Sequence, residues 1–278
     1  MAQNRTGRIS NATIERIYAE TRVRHSGFAM ASPHCHLYYE IFYLQSGSCR
    51  FFIDNNMFDL NEGDFLLIPP EVFHYTRYLW GDCKKTSLFF RKEDVEESVL
   101  LTLPESLNFF AKMRLFQAPP TFRGQIEEII LKMTREEKLA DERSEAMLHA
   151  LLQELLLSCA RECTFPHELP ADIHTTDNQI VLAAQFISDR YGDRITAEDI
   201  AAAAGYSPNY LSRKFKESTG VGIHEYLTFI RLKNAAIELI STNDSVTEIA
   251  LRCGFSDGNY FKDAFKKKYG VTPREYRK

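Results

Sequence analysis

The spacing of hydrophobic positions changes twice along the chain. From about Ile14 to Arg91 they form short runs of aromatic and β-branched residues: "EIFYLQSG", "CRFFIDNNMFDL" and "GDFLLIPPEVFHYT". Gly, Asn-Asn and Pro-Pro interrupt these runs, so the pattern predicts closely spaced strands in a sandwich or small barrel. After Lys92 the period becomes helical. Ile126, Ile129, Ile130 and Met133 form one stripe, and Leu148, Leu151, Leu152, Leu155, Leu156 and Cys159 form a broader one. The second stripe leaves two readings open: packing against the sheet and the neighbouring helix, or a dimer interface. Residues 164–178, "TFPHELPADIHTTDN", hold two prolines and almost no apolar run, as a linker does. Everything after Gln179 is predicted helical, so the fold class is α+β and multidomain.

The helical third contains a repeat. "ITAEDIAAAAGYSPNYLSRKFKESTG" (195–220) and "SVTEIALRCGFSDGNYFKDAFKKKYG" (245–270) share Ile-Ala, Gly-aromatic-Ser, an apolar residue, Phe four positions later and a closing Gly. The second copy has one extra residue just after its Ser. Thr196 with Asp199, and Ser245 with Glu248, have the spacing of capping boxes. Ala201 and Ala250 are small where a second helix must cross. Gly205 and Gly254 suit the positive φ of a tight turn. Ser207-Pro208 and Ser256-Asp257 are placed to open the next helix as N-cap and N1. This is helix–turn–helix grammar, written twice.

In such a motif the second helix enters the major groove. Leu211 and Phe215 pin that helix in the first copy, leaving Asn209, Ser212, Arg213 and Lys216 on the free face. Phe261 and Phe265 pin it in the second, leaving Asn259, Lys262, Asp263 and Lys266. Asn, Arg and Lys read adenine and guanine edges or hold phosphates, although an ordinary solvated face has the same composition. Two copies joined by "IHEYLTFIRLKNAAIELI" make double-stranded DNA the expected partner.

Residues 179–278 resemble the tandem helix–turn–helix domain of the AraC/XylS family of bacterial transcription regulators. The resemblance is carried by "RLKNAAIELI", "GFSDGNYFKDAFKKKYG" and "GVTPREYR". It implies two motifs reading successive major-groove faces, with base contact from Asn209, Ser212 and Arg213 and from Asn259 and Lys262. Lys216 and Lys266 complete the expected DNA-binding set. Asp263 departs from the family, which often has a basic residue there, so Arg213 is expected to anchor binding and the second motif to read more weakly.

Charge supports this division of labour. The whole chain carries a formal −4, but residues 175–278 hold 15 Lys+Arg against 13 Asp+Glu. The mildly basic end permits phosphate contact without proving it. The six cysteines are scattered without a CxxC pair and are expected as free, mostly buried thiols. No apolar run reaches the ~18 residues of a membrane helix, and the first residues show no secretory pattern. The expected location is the cytoplasm, with no membrane partner.

The first third holds a cluster of its own. In "PHCHLYYE", His34, His36 and Glu40 are all even-numbered, so strand alternation would place them on one face. The spacing H-x-H, three residues, Glu, six residues, Gly resembles the first motif of the cupins. "GDFLLIPPEVFH" resembles the second, with Gly63, Pro69 and His74, except that its usual glycine is Glu71. By that resemblance His34, His36, Glu40 and His74 fill all four metal-ligand positions. Three imidazoles and a carboxylate suit one divalent transition metal. A metal-free pocket for a small effector, a sugar or a carboxylate, is a second reading, with Tyr38 and Phe42 lining it. Barrel-lining residues without function are a third.

The expected organisation is therefore a cupin-like effector-sensing β-barrel (1–92), a helical dimerisation or packing segment (93–163), the linker (164–178) and the tandem helix–turn–helix domain (179–278). The expected function is a transcription regulator, an activator by family habit, acting as a homodimer and recruiting RNA polymerase when a small-molecule effector binds. The alternative is a metal-dependent cupin enzyme, an oxygenase or isomerase, fused to a DNA-binding domain.

Overall fold

The computed structural model describes residues 14, 16–30, 34–104, 109–165 and 177–277. The chain divides into two compact units. The first is built on β1 (Tyr18–Arg24), β2 (Tyr39–Ile53), β3 (Asn56–Asn61), β4 (Asp64–Ile68), β5 (His74–Phe90) and β6 (Arg114–Gln117). They form one sheet in the order β1-β5-β2-β4-β6, with β3 paired to β2. Tyr18 lies opposite Phe89 and Glu40 opposite Ile68, both in antiparallel register. The short α1 (Glu97–Leu100) follows β5, and the long α2 (Arg123–Leu139) and α3 (Ser144–Glu162) follow β6.

Two of the expected strand breaks fare differently. Asp54 and Asn55 take φ of 45° and 64°, the left-handed pair of a tight hairpin turn between β2 and β3. Gly47, by contrast, does not end a strand, and β2 runs through it with φ +85°. A Cβ there would lie 2.6 Å from the Asp82 carbonyl oxygen and 2.7 Å from the Cys83 sulfur. Glycine is thus required by the close approach of β5, not by a turn.

The outer face of the sheet carries the main core. Ala19, Ile41, Tyr43, Phe65, Leu67, Leu88 and Phe90 pack with Ile126, Ile129, Ile130 and Met133 of α2 and with Leu148, Leu151, Leu152, Leu155, Leu156 and Cys159 of α3. Every residue of the two predicted stripes is buried inside this unit. Intramolecular packing therefore accounts for the breadth of the α3 stripe. Most of the predicted linker, residues 166–176, lies outside the described residues. At its near end Thr164 is bridged to Gln117, the last residue of β6.

The second unit is helical: α4 (Asn178–Arg190), α5 (Ala197–Ala203), α6 (Pro208–Thr219), α7 (Ile223–Ser241), α8 (Val246–Arg252), α9 (Gly258–Tyr269) and α10 (Pro273–Tyr276). Thr196–Asp199 and Ser245–Glu248 form the expected capping boxes, and Thr272–Glu275 forms a third. The repeat holds at the level of single hydrogen bonds. Tyr206 N–H donates to the Ala201 carbonyl and Phe255 N–H to the Ala250 carbonyl, both at 2.9 Å. Gly205 and Gly254 take φ of 68° and 82°. At Gly254 a Cβ would also lie 2.7 Å from the Tyr191 carbonyl oxygen, so the turn and the packing both select glycine. One cap differs from the expectation. Asp257, not Ser256, caps α9, accepting from the N–H groups of Asn259 and Tyr260, because the extra residue of the second copy lengthens its turn by one.

Candidate functional site

The cluster in the sheet domain is assembled from three pieces of chain. His34 is bridged main chain to main chain with His74, which opens β5. His36 lies just before the bend at Leu37 and Tyr38 that leads into β2, and Glu40 is the second residue of β2. Strand alternation is therefore not what gathers the three residues of "PHCHLYYE", since residues 34–38 precede the strand. The His34–His74 bridge is decisive, because it delivers the fourth member. Four donor atoms, one from each residue, lie within 4.8 Å of one another. His36, Glu40 and His74 are 2%, 5% and 2% exposed.

The hydrogen bonds fix which nitrogens point inward. His36 Nδ1 lies 2.7 Å from the Tyr38 carbonyl oxygen, and His74 Nδ1 lies 3.0 Å from that of Val72. A carbonyl only accepts, so both Nδ1 atoms carry the proton and both Nε2 atoms face the cluster. There His36 Nε2 meets Glu40 Oε2 at 3.1 Å, and His74 Nε2 meets His34 Nε2 at 3.1 Å and Glu40 Oε2 at 3.6 Å. Burial, reinforced by neighbouring His34, pushes the His74 imidazole down to about 3, so it is neutral with its lone pair directed inward. Burial pushes the Glu40 carboxyl up, but the hydrogen bond from His36 and the neighbouring imidazoles and Lys85 ammonium outweigh burial and hold it well below the usual range. A neutral imidazole lone pair and a carboxylate oxygen converge with too few protons between them. That arrangement, with main-chain carbonyls orienting two of the rings, is one that could hold a divalent transition metal. The residues fit such an ion.

In the helical unit the expected DNA-facing side chains share the exposed sides of α6 and α9. Asn209, Ser212, Arg213 and Lys216 are exposed, while Leu211 and Phe215 on the same helix are fully buried. Asn259, Lys262, Asp263 and Lys266 are exposed around buried Phe261 and Phe265. The Arg213 guanidinium lies 5.5 Å from the centre of the Tyr210 ring and 3.9 Å from a Glu217 oxygen, contacts loose enough to be exchanged for a nucleic acid.

Residues 20–152 match the AraC-like ligand binding domain, and residues 200–278 match a helix-turn-helix domain. The chain belongs to the AraC family of transcription regulators. Like other proteins of this class it joins a ligand-binding sheet domain to a DNA-binding helical one. This AraC-family regulator is 25% identical over 271 residues to the HTH-type transcriptional activator RhaS of Klebsiella pneumoniae, covering 96% of this chain and 93% of that protein. It is 28% identical to the uncharacterized HTH-type transcriptional regulator YijO of Escherichia coli, covering 78% and 73%. Among solved structures, ToxT from Vibrio cholerae aligns over 95% of this chain and 98% of its own, at 16% identity and a TM-score of 0.36. No helix among the described residues is long and apolar enough to cross a membrane.

The inner face of the regulator's sheet holds more polar chemistry than the sequence motifs indicated. Tyr38 and Phe42 are both buried. The Tyr38 ring stacks on His36, with centroids 4.3 Å apart and planes within 4°, and Phe42 packs edge-on to Phe51. Lys85 and Ser87 of β5 also point inward, and both are buried. The signal for them was the alternation in "KKTSLFF". Leu88 and Phe90 belong to the outer core, so Lys85, Ser87 and Phe89 must take the other face.

Proposed function

We propose that this regulator activates transcription in the cytoplasm, binding double-stranded DNA as a homodimer and recruiting RNA polymerase, and that its sheet domain senses a small molecule rather than converting it. Activation is supported by the RhaS relative, a transcriptional activator. Dimerisation draws support from the exposed Leu131 and Leu139 of α2 and Met147 and Leu157 of α3, which the internal packing leaves uncovered. Direct readout rests on Asn209, Ser212, Arg213, Asn259 and Lys262, and phosphate contact on Lys216 and Lys266. The effector shifts DNA occupancy only through its differential affinity for the DNA-competent and DNA-incompetent states.

His34, His36, Glu40 and His74 would hold one divalent transition metal. Inward-facing Nε2 atoms converging beside the Glu40 carboxylate carry this reading. Such an ion supplies a Lewis-acidic position for an effector oxygen. The chain's own part is to keep the His74 imidazole neutral, aim two of the rings through the Tyr38 and Val72 carbonyls and exclude bulk water. Elemental analysis of the purified protein tests it: we expect stoichiometric Zn, Fe, Mn or Ni, lost in His36→Ala and His74→Ala. A metal-free wild type that cannot be loaded would leave a purely organic pocket. Metal with turnover of a substrate under oxygen would instead support the cupin enzyme.

A further inference from the structure

The inner face of the sheet places a lysine where no sequence motif asks for one. Ala19, Ile41, Leu88 and Phe90 face the helices, so Glu20, Glu40, Phe42, Lys85, Ser87 and Phe89 occupy the opposite face by alternation. Lys85 is 8% exposed. Its Nζ donates to Ser87 Oγ at 2.6 Å, its one hydrogen bond among the described residues, and lies 5.5 Å from the centre of the Phe42 ring. The nearest carboxylate oxygen, Glu20 Oε1, is 3.7 Å away. Glu20 gives its closer contacts to others: its Oε2 accepts from Arg22 at 2.7 Å and from the Tyr18 hydroxyl at 3.3 Å. An ammonium has three donors, and a buried one is costly unless paired and hydrogen-bonded. Here the charge is only partly matched and two donors remain.

A second donor faces the same interior. The Tyr38 hydroxyl is buried without a hydrogen-bond partner. Its ring is held between His36 and the edge of Phe89, so the hydroxyl cannot swing to water. Phe89, whose ring meets Tyr38 edge-on at 5.5 Å, lies on the same face of β5 as Lys85 and Ser87, and the Tyr38 ring stacks on His36, so both donors belong to the inner side of the sheet with the histidine cluster. Both carboxylates in this neighbourhood are shared, Glu20 with Arg22 and Glu40 with the histidine cluster, so the ammonium has none of its own. A neutral sugar would satisfy the hydroxyl but leave the ammonium's charge only partly answered. A carboxylate supplies two acceptor oxygens and the missing charge together.

We propose that Lys85, with the Tyr38 hydroxyl, binds the carboxylate of a small organic-acid effector on the inner face of the sheet, beside the His34–His36–Glu40–His74 cluster. This rests on the reading that the sheet domain is the effector site. Lys85 is then a specificity-determining residue: it selects acids over neutral sugars, and a second effector oxygen, a 2-hydroxy or 2-oxo group, would face the cluster.

The test uses the full-length protein and its melting temperature as the readout. The probes are two- to six-carbon 2-hydroxy- and 2-oxo-carboxylates at millimolar concentration, each paired with its neutral amide, alongside neutral pentoses and hexoses. At least one acid should raise the melting temperature of the wild type while its amide does not. Lys85→Met should raise the half-saturating concentration of that acid roughly 10- to 100-fold, and Tyr38→Phe about 10-fold, as expected for hydrogen bonds to a charged group. Lys85→Arg should recover part of the loss. Without ligand, Lys85→Met should melt no lower than the wild type, because replacing a partly paired buried ammonium by an apolar isostere is neutral or stabilising. A lower melting temperature for unliganded Lys85→Met would make Lys85 a structural partner of Glu20 and overturn the proposal. A shift by a sugar, equal in wild type and Lys85→Met, would overturn the choice of acids while leaving the effector site intact. No shift by either class would overturn both.

Discussion

Glu71 stands where the second cupin motif usually has glycine, and its backbone shows why glycine is usual there: φ is +61°, in the left-handed region. The conformation is held in place because Glu71 N–H donates to the His36 carbonyl at 2.7 Å, tying the loop to the cluster. The side chain adds to the cost, since its Oε1 is buried without a partner. A left-handed non-glycine residue costs about 1–2 kcal/mol, and glycine returns part of that gain as unfolded-chain entropy. We therefore expect Glu71→Gly to stabilise the sheet domain by up to about 1 kcal/mol in urea unfolding, with the metal content unchanged. A destabilised variant would show that the Glu71 side chain has a partner role that the backbone argument misses.

At the scale of elements, the helices were far more legible than the strands. A capping box is a local pattern, and Thr196–Asp199 and Ser245–Glu248 formed as their spacing indicated. The buried residues of α2 and α3 were likewise those of the predicted stripes, because helical period reports burial directly. What covered the stripes was not legible, since period does not name the partner surface. The strand reading failed where the reason was nonlocal. Gly47 reads as a break in one dimension, but it is a point of close approach to β5, 35 or more residues away. Lys85 drew no attention in the sequence, because its burial depends on which face of β5 its neighbours Leu88 and Phe90 take. The resemblance to the cupin motifs named the four residues whose donor atoms cluster, although the alternation offered for His34, His36 and Glu40 was wrong for the first two. The cap of α9 slipped by one residue, from Ser256 to Asp257, because an inserted residue leaves two adequate caps in adjacent positions. Asp257→Ala should cost about 1 kcal/mol of stability in the helical unit, and Ser256→Ala should cost far less. Equal effects in thermal unfolding would contradict the observed cap.

At the scale of the whole molecule, the chain pairs a sheet that gathers ionisable groups inward with helices that hold them outward. DNA affinity should then fall steeply with salt, because Lys216 and Lys266 displace counterions from phosphates. Removing either lysine should reduce the slope of log affinity against log salt by about 1 and weaken all sequences alike. Arg213→Ala should instead cost about 1–3 kcal/mol at the preferred sequence and relax the choice of base there. Fluorescence anisotropy across a salt series separates the two effects. An Arg213→Ala protein with unchanged affinity and footprint would remove Arg213 from the reading face.

The two caps of the repeat differ in a way that reaches the promoter. In α9 the side chain of Asp257 already answers the first free N–H groups, and it brings a negative charge to the end of the helix that leads Asn259 and Lys262. In α6 Ser207 makes no such bond, and a proline opens the helix instead. One motif arrives with its leading edge self-satisfied and acidic, the other with its leading edge open. Binding sites along a genome would then be conserved unevenly, with little variation under the first motif and wide drift under the second.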